Sequence, residues 1–528
     1  LDPQCSTATY PRSLDVSVGL VRKLHYLLTA LATSLALILT GCAESKIEKP
    51  LSSLAKYENQ NLAWSTCYQS FECTDLLVPV DYADLTVGTF KIAVLRYKAQ
   101  DQKNRIGSLI VNPGGPGGSG VDYAYNADYI FSPDITDVYD VVGFDPRGVA
   151  MSEPISCFTP EEIDENMASD SKPDNDAEIA ATLEDSEAFA KKCLENTDYL
   201  EHFTTSETAR DMDILRAALG ETKLNYVGKS YGTYLGTLYA DIFPNNVGRF
   251  VLDGAVDPNI PMKDQSLAQA MGFDRALKAF VKDCATQSDC PFTGTPAQAQ
   301  ATIIATLQAA ATEPLPQEYP ADGDDRIITE SIILVGMASS LYDDVDGWPK
   351  LRQAFTESAE NYGDTFLQLA DEYSGRNPDG TFRSNDFDSG AVIDCLDWQD
   401  RRTVDQYKAD AKEFAAKAPV FGPYIAFAGV HCQFLPQPST QRAPNTLTEI
   451  KTAPIIVIGT IRDPATPYSW SVSLAKIFTG SRLISLDADG HTGHGRGSAC
   501  VDDAVDAYLL KGTLPSANLS CDLEGVSA

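Results

Sequence analysis

Short runs of apolar residues that end in glycine-rich or polar loops recur in the first half of the chain and again near its end. Such runs, with helical segments between them, are typical of strands that are buried on both faces of a mostly parallel sheet. The pattern therefore predicts an α/β fold in which helices flank the sheet. The predicted strands lie at 91–97, 107–112, 138–143, 224–227, 249–253, 454–459 and 482–486.

The middle of the chain has a different pattern. Alanine-rich segments such as 297–311 and 351–373 favour helices, and no comparable series of strand-like runs occurs there. We expect an inserted helical lid between the strand that ends at Asp253 and the strand that begins at Pro454. The predicted divisions are an upstream and signal segment (1–42), an N-terminal segment of the mature chain (43–75), the first part of the core (76–260), the helical lid (261–449) and the second part of the core (450–528).

The composition is that of a globular protein with a large apolar core. Of the 528 residues, 43% are hydrophobic and 22% are charged. The formal net charge of −33 argues against nucleic-acid binding, because a phosphate backbone would be repelled. An acidic surface of this kind favours solubility, and it would also attract cationic peptides or free amino termini.

The N-terminal region predicts export. A basic start at 22–25 precedes an apolar run at 26–39 that is short for a membrane span, and Gly41 and Cys42 follow. This pattern resembles a bacterial lipoprotein signal, in which Cys42 becomes the lipidated first residue of a protein at the outer face of the cell membrane. An ordinary cleaved signal, giving a secreted protein, or an N-terminal anchor helix is the alternative. Residues 1–20 show no such pattern, and we interpret them as upstream sequence.

The cysteine count supports an oxidising compartment. Of 12 cysteines, Cys5 and Cys42 fall in the N-terminal region, which leaves an even number in the exported body. No C-x-x-C occurs, so a zinc site is not indicated and disulfides are expected. Proximity in sequence proposes the pairs Cys67–Cys73, Cys157–Cys193, Cys284–Cys290, Cys395–Cys432 and Cys500–Cys521.

A G-x-S-x-G motif at 228–232 lies between a predicted strand and a helix-compatible segment at 233–240. This is the setting of a nucleophile elbow, in which a tight turn projects a serine hydroxyl above the carboxyl edge of a sheet. The glycines leave room for the strained backbone of Ser230. A glycine-rich structural turn is the alternative to a catalytic serine.

A serine nucleophile needs a base, and histidine has a proton affinity near neutral pH. His25 lies in the signal, and His202 and His431 lie outside the loops at the carboxyl edge of the predicted sheet. His491 and His494 follow the last predicted strand, and we favour His491 because it directly follows the loop at the end of that strand. The order serine, acid, histidine matches the α/β-hydrolase arrangement.

The acid that orients the histidine is expected on the loop after the preceding strand. Asp463 lies there, whereas Asp487 and Asp489 compete only through their closeness to His491 in sequence. We therefore predict Ser230, Asp463 and His491 as the catalytic residues.

Acyl transfer also needs backbone N–H groups that stabilise an oxyanion. The glycine-rich run at 112–120 can supply one, and we choose Gly115 ahead of Gly117. Tyr231, which follows the nucleophile, supplies the other. The glycine run lacks the G-K-[ST] ending of a phosphate-binding loop.

The combination of motifs resembles secreted actinobacterial tripeptidyl aminopeptidases, which are serine exopeptidases of the proline iminopeptidase group of α/β hydrolases. The resemblance runs from about residue 60 to Cys521, and Ala150 departs from it at a packing turn. It implies an α/β-hydrolase fold, Ser230, Asp463 and His491 as the triad, and a region from about residue 390 that completes the core. The matching segments are 112–120, 143–148, 204–205, 211–216, 228–232, 252–258 and the loops of Asp463 and His491.

An aminopeptidase must also bind a free α-amino group. Asp394 and Asp397, in the lid, are our candidates for this contact. We expect peptide substrates with free N-termini, release of tripeptides, no metal or other cofactor, and a monomer. An esterase or lipase acting on acyl esters, or a binding protein on a hydrolase scaffold, is the alternative.

Overall fold

The structure is a computed structural model that describes residues 48–321, 323–439 and 447–523. The predicted signal and the lipidation site at Cys42 lie outside these residues. Within the described ranges, no helix has the length and apolar character needed to cross a membrane.

The described residues form a ten-stranded sheet with the order β1-β2-β3-β5-β4-β6-β7-β8-β9-β10. The first three strands pair antiparallel, β3 pairs antiparallel with β5, and the strands from β5 to β10 pair parallel. The prediction of a mostly parallel sheet is therefore confirmed. The strands are β1 (Ser65–Cys67), β2 (Phe71–Pro79), β3 (Thr89–Tyr97), β4 (Gly107–Asn112), β5 (Tyr139–Phe144), β6 (Leu224–Lys229), β7 (Val247–Asp253), β8 (Ile455–Arg462), β9 (Arg482–Asp489) and β10 (Leu519–Asp522).

Helices cover both faces of this sheet. Two short 3-10 helices, Leu200–His202 and Val430–Gln433, join longer elements. The α-helices are α1 (Leu54–Glu58), α2 (Gly120–Tyr125), α3 (Ala127–Ile130), α4 (Pro133–Val138), α5 (Pro160–Ala168), α6 (Asp176–Asn196), α7 (Thr205–Ala218), α8 (Tyr231–Ile242), α9 (Met262–Cys284), α10 (Pro296–Thr312), α11 (Glu330–Leu341), α12 (Gly347–Ala359), α13 (Asp364–Ser374), α14 (Asp386–Trp398), α15 (Val404–Lys417), α16 (Gly422–Ile425), α17 (Tyr468–Ile477) and α18 (Ala499–Lys511).

The central strands are apolar because both of their faces are buried. Every residue of β4 and β5 is buried. Side chains alternate along β4, so Leu109 and Val111 pack into the apolar cluster on one face of the sheet and Ile110 into the cluster on the other.

The region between β7 and β8, which we call the helical insertion, contains α9 to α16 and, in its described part, isolated bridges but no strand. It has an apolar cluster of its own, which Ile179 of α6 joins from outside the insertion. Val392 and Leu396 of α14 instead belong to the cluster beneath the sheet. The division of the chain at 261–449 remains a prediction, but α14 clearly packs on the core.

The five disulfides predicted from sequence proximity are all present. Cys395–Cys432 fixes α14 to the 3-10 helix at Val430–Gln433, and Cys157–Cys193 fixes the end of α6 to the chain that precedes α5. The remaining bonds are Cys67–Cys73, Cys284–Cys290 and Cys500–Cys521.

Candidate active site

Ser230 occupies a sharp turn between β6 and α8. Its backbone has φ 54° and ψ −126°, a conformation that an L-residue adopts rarely and at a cost. A Cβ on Gly228 would lie 2.4 Å from the carbonyl oxygen of Gly232, and a Cβ on Gly232 would lie 2.7 Å from Oδ1 of Asn112. Both glycines are therefore needed for the turn, which has the geometry expected of a nucleophile elbow.

Asp463 and His491 come together from the loops that follow β8 and β9. Nδ1 of His491 lies 2.9 Å from Oδ2 and 3.0 Å from Oδ1 of Asp463. Asp463 is fully buried, and Oδ2 also accepts the N–H of Thr492 at 3.1 Å. The structure thus brings these two predicted residues together, and a buried carboxylate holds the Nδ1 side of the imidazole.

A third residue that the sequence analysis did not single out, Thr466, completes the contacts of this carboxylate. Its hydroxyl donates to Oδ2 of Asp463 at 3.0 Å, and its N–H donates to Oδ1 at 2.8 Å. The N–H of Ala465 also donates to Oδ1, at 2.9 Å. The sequence signal for this contact is the spacing Asp-x-x-Thr. An aspartate in a turn can accept hydrogen bonds from N–H and hydroxyl groups two or three residues later.

The other ring nitrogen of His491, Nε2, is free to accept a proton or a hydrogen bond. Nε2 is buried and has no hydrogen-bond partner among the described residues. Gly254, at φ +68°, borders the ring, and a Cβ there would lie 3.2 Å from Cε1 of His491. A neutral imidazole held at Nδ1 by a carboxylate leaves Nε2 as a base, which is the requirement for activating a hydroxyl.

The competing candidates have structural roles instead. Burial, together with the nearby charge of Lys229, lowers the pKa of His494 to about 3, so its ring stays neutral. Asp487 and Asp489 both form ion pairs with Arg462, near the ends of β8 and β9. None of the three contacts the ring of His491 by a hydrogen bond in the described part of the chain.

The glycine-rich loop after β4 passes over Ser230. A Cβ on Gly114 would lie 2.9 Å from Cβ of Ser230 and 3.1 Å from the nitrogen of Tyr231. Gly115 lines a cavity together with Ser230 and Tyr231, whereas a Cβ on Gly117 would meet Ser389 and Asp386 of α14. Tyr231 is the first residue of α8, so its N–H has no carbonyl partner within that helix.

The cavity beside Ser230 has a volume of about 110 Å³ and lies between the core and the helical insertion. Its lining includes Gln265 and Gln269 of α9, Asp394 and Trp398 of α14, and Trp470 of α17. A cavity with two tryptophans and a few polar groups suits an amphipathic ligand.

Asp394 and Asp397, the two residues predicted to bind a substrate amino group, have different surroundings in the structure. Asp397 accepts the N–H of Thr205 at 3.0 Å, and the hydroxyl of Thr205 also contacts it. Asp394 lines the cavity, and burial and the neighbouring Asp397 raise the pKa of Asp394 to about 8. Asp394 is therefore a carboxyl group in the cavity that a bound cation would stabilise as a carboxylate.

Among the residues that the structure describes, two clusters have the residue types that bind metals, but other contacts account for both. Cys395 and Cys432, which lie beside His431, are joined in a disulfide and cannot act as thiolate ligands. In the second cluster, Nδ1 of His202 already contacts Glu207 at 3.0 Å, and Glu207 lies 3.7 Å from the guanidinium of Arg147. A cation there would be repelled by the arginine.

Comparisons with known proteins give a consistent result. Residues 107–302 match the family model for the alpha/beta hydrolase fold, and residues 418–521 match the model described as TAP-like protein. The chain is 34% identical over 526 residues to serine protease Hip1 of Mycobacterium tuberculosis, an alignment that covers 94% of this chain and 97% of that protein.

Two further relatives carry different names. The chain is 31% identical over 490 residues to tripeptidyl aminopeptidase of Streptomyces lividans, with 88% of each chain covered. It is 35% identical over 479 residues to carboxylesterase B of Mycobacterium tuberculosis, with 87% of this chain and 89% of that protein covered. Each of these similarities covers most of the chain.

Proposed function

Because the chain belongs to the family of α/β-hydrolase serine peptidases that includes serine protease Hip1 and tripeptidyl aminopeptidase, we propose that it removes short peptides from the free N-terminus of peptide substrates. The observation that carries the catalytic part of this proposal is the hydrogen bond between Nδ1 of His491 and the buried Asp463. It leaves Nε2 available on the same sheet edge as Ser230.

In the proposed mechanism, the hydroxyl oxygen of Ser230 attacks the carbonyl carbon of the scissile bond and its proton passes to Nε2 of His491. Asp463 keeps the proton of the imidazole on Nδ1 and stabilises the imidazolium. The N–H groups of Gly115 and Tyr231 receive the oxyanion. His491 then returns the proton to the departing amine, and a water molecule hydrolyses the acyl-enzyme by the same route.

Asp394 supports the exopeptidase part of the proposal. It lines the same cavity as Ser230, and its position on α14 would bring a carboxylate to a substrate ammonium group. Burial and the charge of Asp397 raise the pKa of Asp394, so its ionised form needs a compensating positive partner. A bound α-ammonium group would provide that partner, and an acetylated N-terminus would not.

Export is proposed on two grounds. The five disulfides require an oxidising compartment, and the segment at 22–42 has the pattern of a lipoprotein signal. We propose that Cys42 carries a lipid anchor and that the protein acts as a monomer at the outer face of the membrane.

Ester hydrolysis is the second candidate function. It is favoured by the similarity to carboxylesterase B, since attack by an activated serine serves esters and peptides alike. An esterase would not require a charged amino group near Ser230, so the two functions differ in their dependence on Asp394.

The test uses a fluorogenic tripeptide conjugate with a free amino group, its N-acetylated form and a neutral acyl ester. We expect the wild type to cleave the free form, to cleave the acetylated form at least tenfold more slowly, and to lose activity on Ser230→Ala. Mass spectrometry of the fragments released from a longer peptide shows whether they are tripeptides. Equal cleavage of the free and acetylated forms, or a clear preference for the ester, would reject the exopeptidase proposal.

A further inference from the structure

Tyr342, just beyond the C-terminus of α11 in the helical insertion, contacts His491 in two ways. Its carbonyl oxygen accepts the backbone N–H of His491 at 2.9 Å. Its ring packs against the imidazole with centroids 5.2 Å apart and planes at 87°. Pairs with this edge-to-face geometry are attractive beyond the burial of area alone.

The ring of Tyr342 is itself held in place by the insertion. It packs against Phe273 of α9, with centroids 5.7 Å apart, and against Tyr373 of α13, with centroids 5.9 Å apart. The contact to His491 is therefore made by a side chain that is fixed from two other sides.

The same insertion contacts the loop of Asp463. Nη2 of Arg275 in α9 donates to the carbonyl oxygen of Asp463 at 2.8 Å. One turn earlier, Gly272 packs so closely that a Cβ there would lie 2.2 Å from the carbonyl oxygen of Pro464. The helical insertion thus contacts both loops that form the acid and histidine pair.

We propose that Tyr342 is a positioning residue for His491, so that the helical insertion helps to assemble the catalytic pair as well as cover it. The hydrogen bond to Asp463 fixes the Nδ1 side of the imidazole but leaves some freedom in the tilt of the ring. The edge-to-face contact with Tyr342 restrains this tilt, and with it the position of Nε2, which accepts the proton of Ser230 in the proposed mechanism. The inference rests on the proposed serine mechanism.

The test compares Tyr342→Leu with Tyr342→Phe. Leucine removes the aromatic ring and keeps the main-chain contact, so kcat should fall at least tenfold while KM changes less than twofold. Phenylalanine keeps the ring and should restore most of that loss. The rate of inactivation by a small phosphonofluoridate, which reacts with the activated serine and carries no peptide or amino group, should fall by the same factor as kcat.

Tyr424→Leu is the matched control, because Tyr424 is a buried tyrosine of the same insertion whose hydroxyl donates to Glu330 at 3.0 Å. It should lower thermal stability without changing the inactivation rate. An unchanged kcat in Tyr342→Leu, a change confined to KM, or an equal loss in Tyr424→Leu would overturn the proposal. If Tyr342→Leu fails to fold, Tyr342→Met fills the same space without a ring and is judged by the same results.

Failure of the serine mechanism itself would look different. In that case the phosphonofluoridate would not label Ser230 in the wild type, which peptide mapping by mass spectrometry detects. Labelling of Ser230 with an unchanged rate in Tyr342→Leu would instead reject only the role of Tyr342.

Discussion

The carboxylate of Asp253 accepts the backbone N–H of His494 at 2.9 Å, and its other oxygen accepts the N–H of Gly493 at 2.8 Å. The carbonyl oxygen of Asp253 accepts the N–H of Ser230, also at 2.8 Å. One buried residue at the end of β7 thus joins the nucleophile turn to the loop that carries His491. We infer that the spacing of these two loops depends on this residue.

Asp253→Asn should disturb this junction, because an amide NH2 group would face one of the two backbone N–H donors. We expect a loss of about 1–3 kcal/mol in the free energy of unfolding and a fall in kcat of roughly tenfold from misplacement of His491. Urea denaturation and steady-state kinetics measure the two effects. The control is Asp502→Asn, which alters a contact to Gly495 nearer the surface and should retain kcat. An equal loss of kcat in this control would contradict the role of Asp253 in placing His491.

Gly254→Ala should impair catalysis through the imidazole. The residue has φ +68°, and the added methyl group would lie 3.2 Å from Cε1 of His491. We expect kcat to fall by roughly 10- to 100-fold, because small displacements of a catalytic group have effects of this size. Gly480→Ala is the matched control, since Gly480 has φ +79° but open space around it.

Both substitutions place alanine at a positive φ, so both should lower stability by about 1 kcal/mol or more. Gly254→Ala should lower it further, because its methyl group would also lie 3.0 Å from Cγ2 of Thr492 and 3.1 Å from Oγ1 of Thr466. Only Gly254→Ala should change kcat. Loss of activity in both variants would show that backbone strain, and not contact with His491, is responsible.

Much of the fold was predictable because strands buried on both faces leave a strong local signal. The runs at 224–227 and 249–253 correspond to β6 and β7. The positions of Ser230, Asp463 and His491 follow from the same signal, because loops after parallel strands meet at one edge of a sheet. The disulfides were predictable because each one joins two cysteines that follow one another along the chain with no other cysteine between them.

The remaining features of the site depend on contacts between distant segments. Nothing local to Asp253 distinguishes its carboxylate from the many other acidic residues, and its role arises only when β7 lies beside the His491 loop. Tyr342 lies 149 residues before His491, and no pattern in the sequence connects the two positions. Asp394 and Asp397 are equivalent by sequence, and only the packing of α14 directs one to the cavity and the other to Thr205.

Removal of the disulfide between Cys395 and Cys432 should weaken substrate binding. The bond fixes α14 next to Asp394 and closes a separation of 37 residues. Changing both cysteines to serine should lower the free energy of unfolding by about 2–4 kcal/mol and raise KM for the free-amino conjugate. The same change at Cys67 and Cys73, with a separation of 6, should cost less stability and leave KM unchanged; a similar rise in KM there would contradict the role of α14.

Binding of free-amino substrates should depend on pH through Asp394. Its pKa of about 8 means that the carboxyl group is mostly protonated below that pH, so KM should rise as the pH falls from about 8 to about 6, by up to tenfold per unit. Above about pH 8 the substrate amino group loses its charge, so KM should rise there as well.

Asp394→Asn should raise KM and remove the dependence of KM on pH below about 8. The control Glu372→Gln, which alters an ion pair with Lys350 on the surface of the insertion, should retain that dependence. KM measured from pH 6 to 9 tests this, and the rate of the phosphonofluoridate reaction, which involves no amino group, should be the same in the wild type and in Asp394→Asn. An acid-side rise in KM that persists in Asp394→Asn would assign the dependence to another group and remove the main support for recognition of the amino terminus by Asp394.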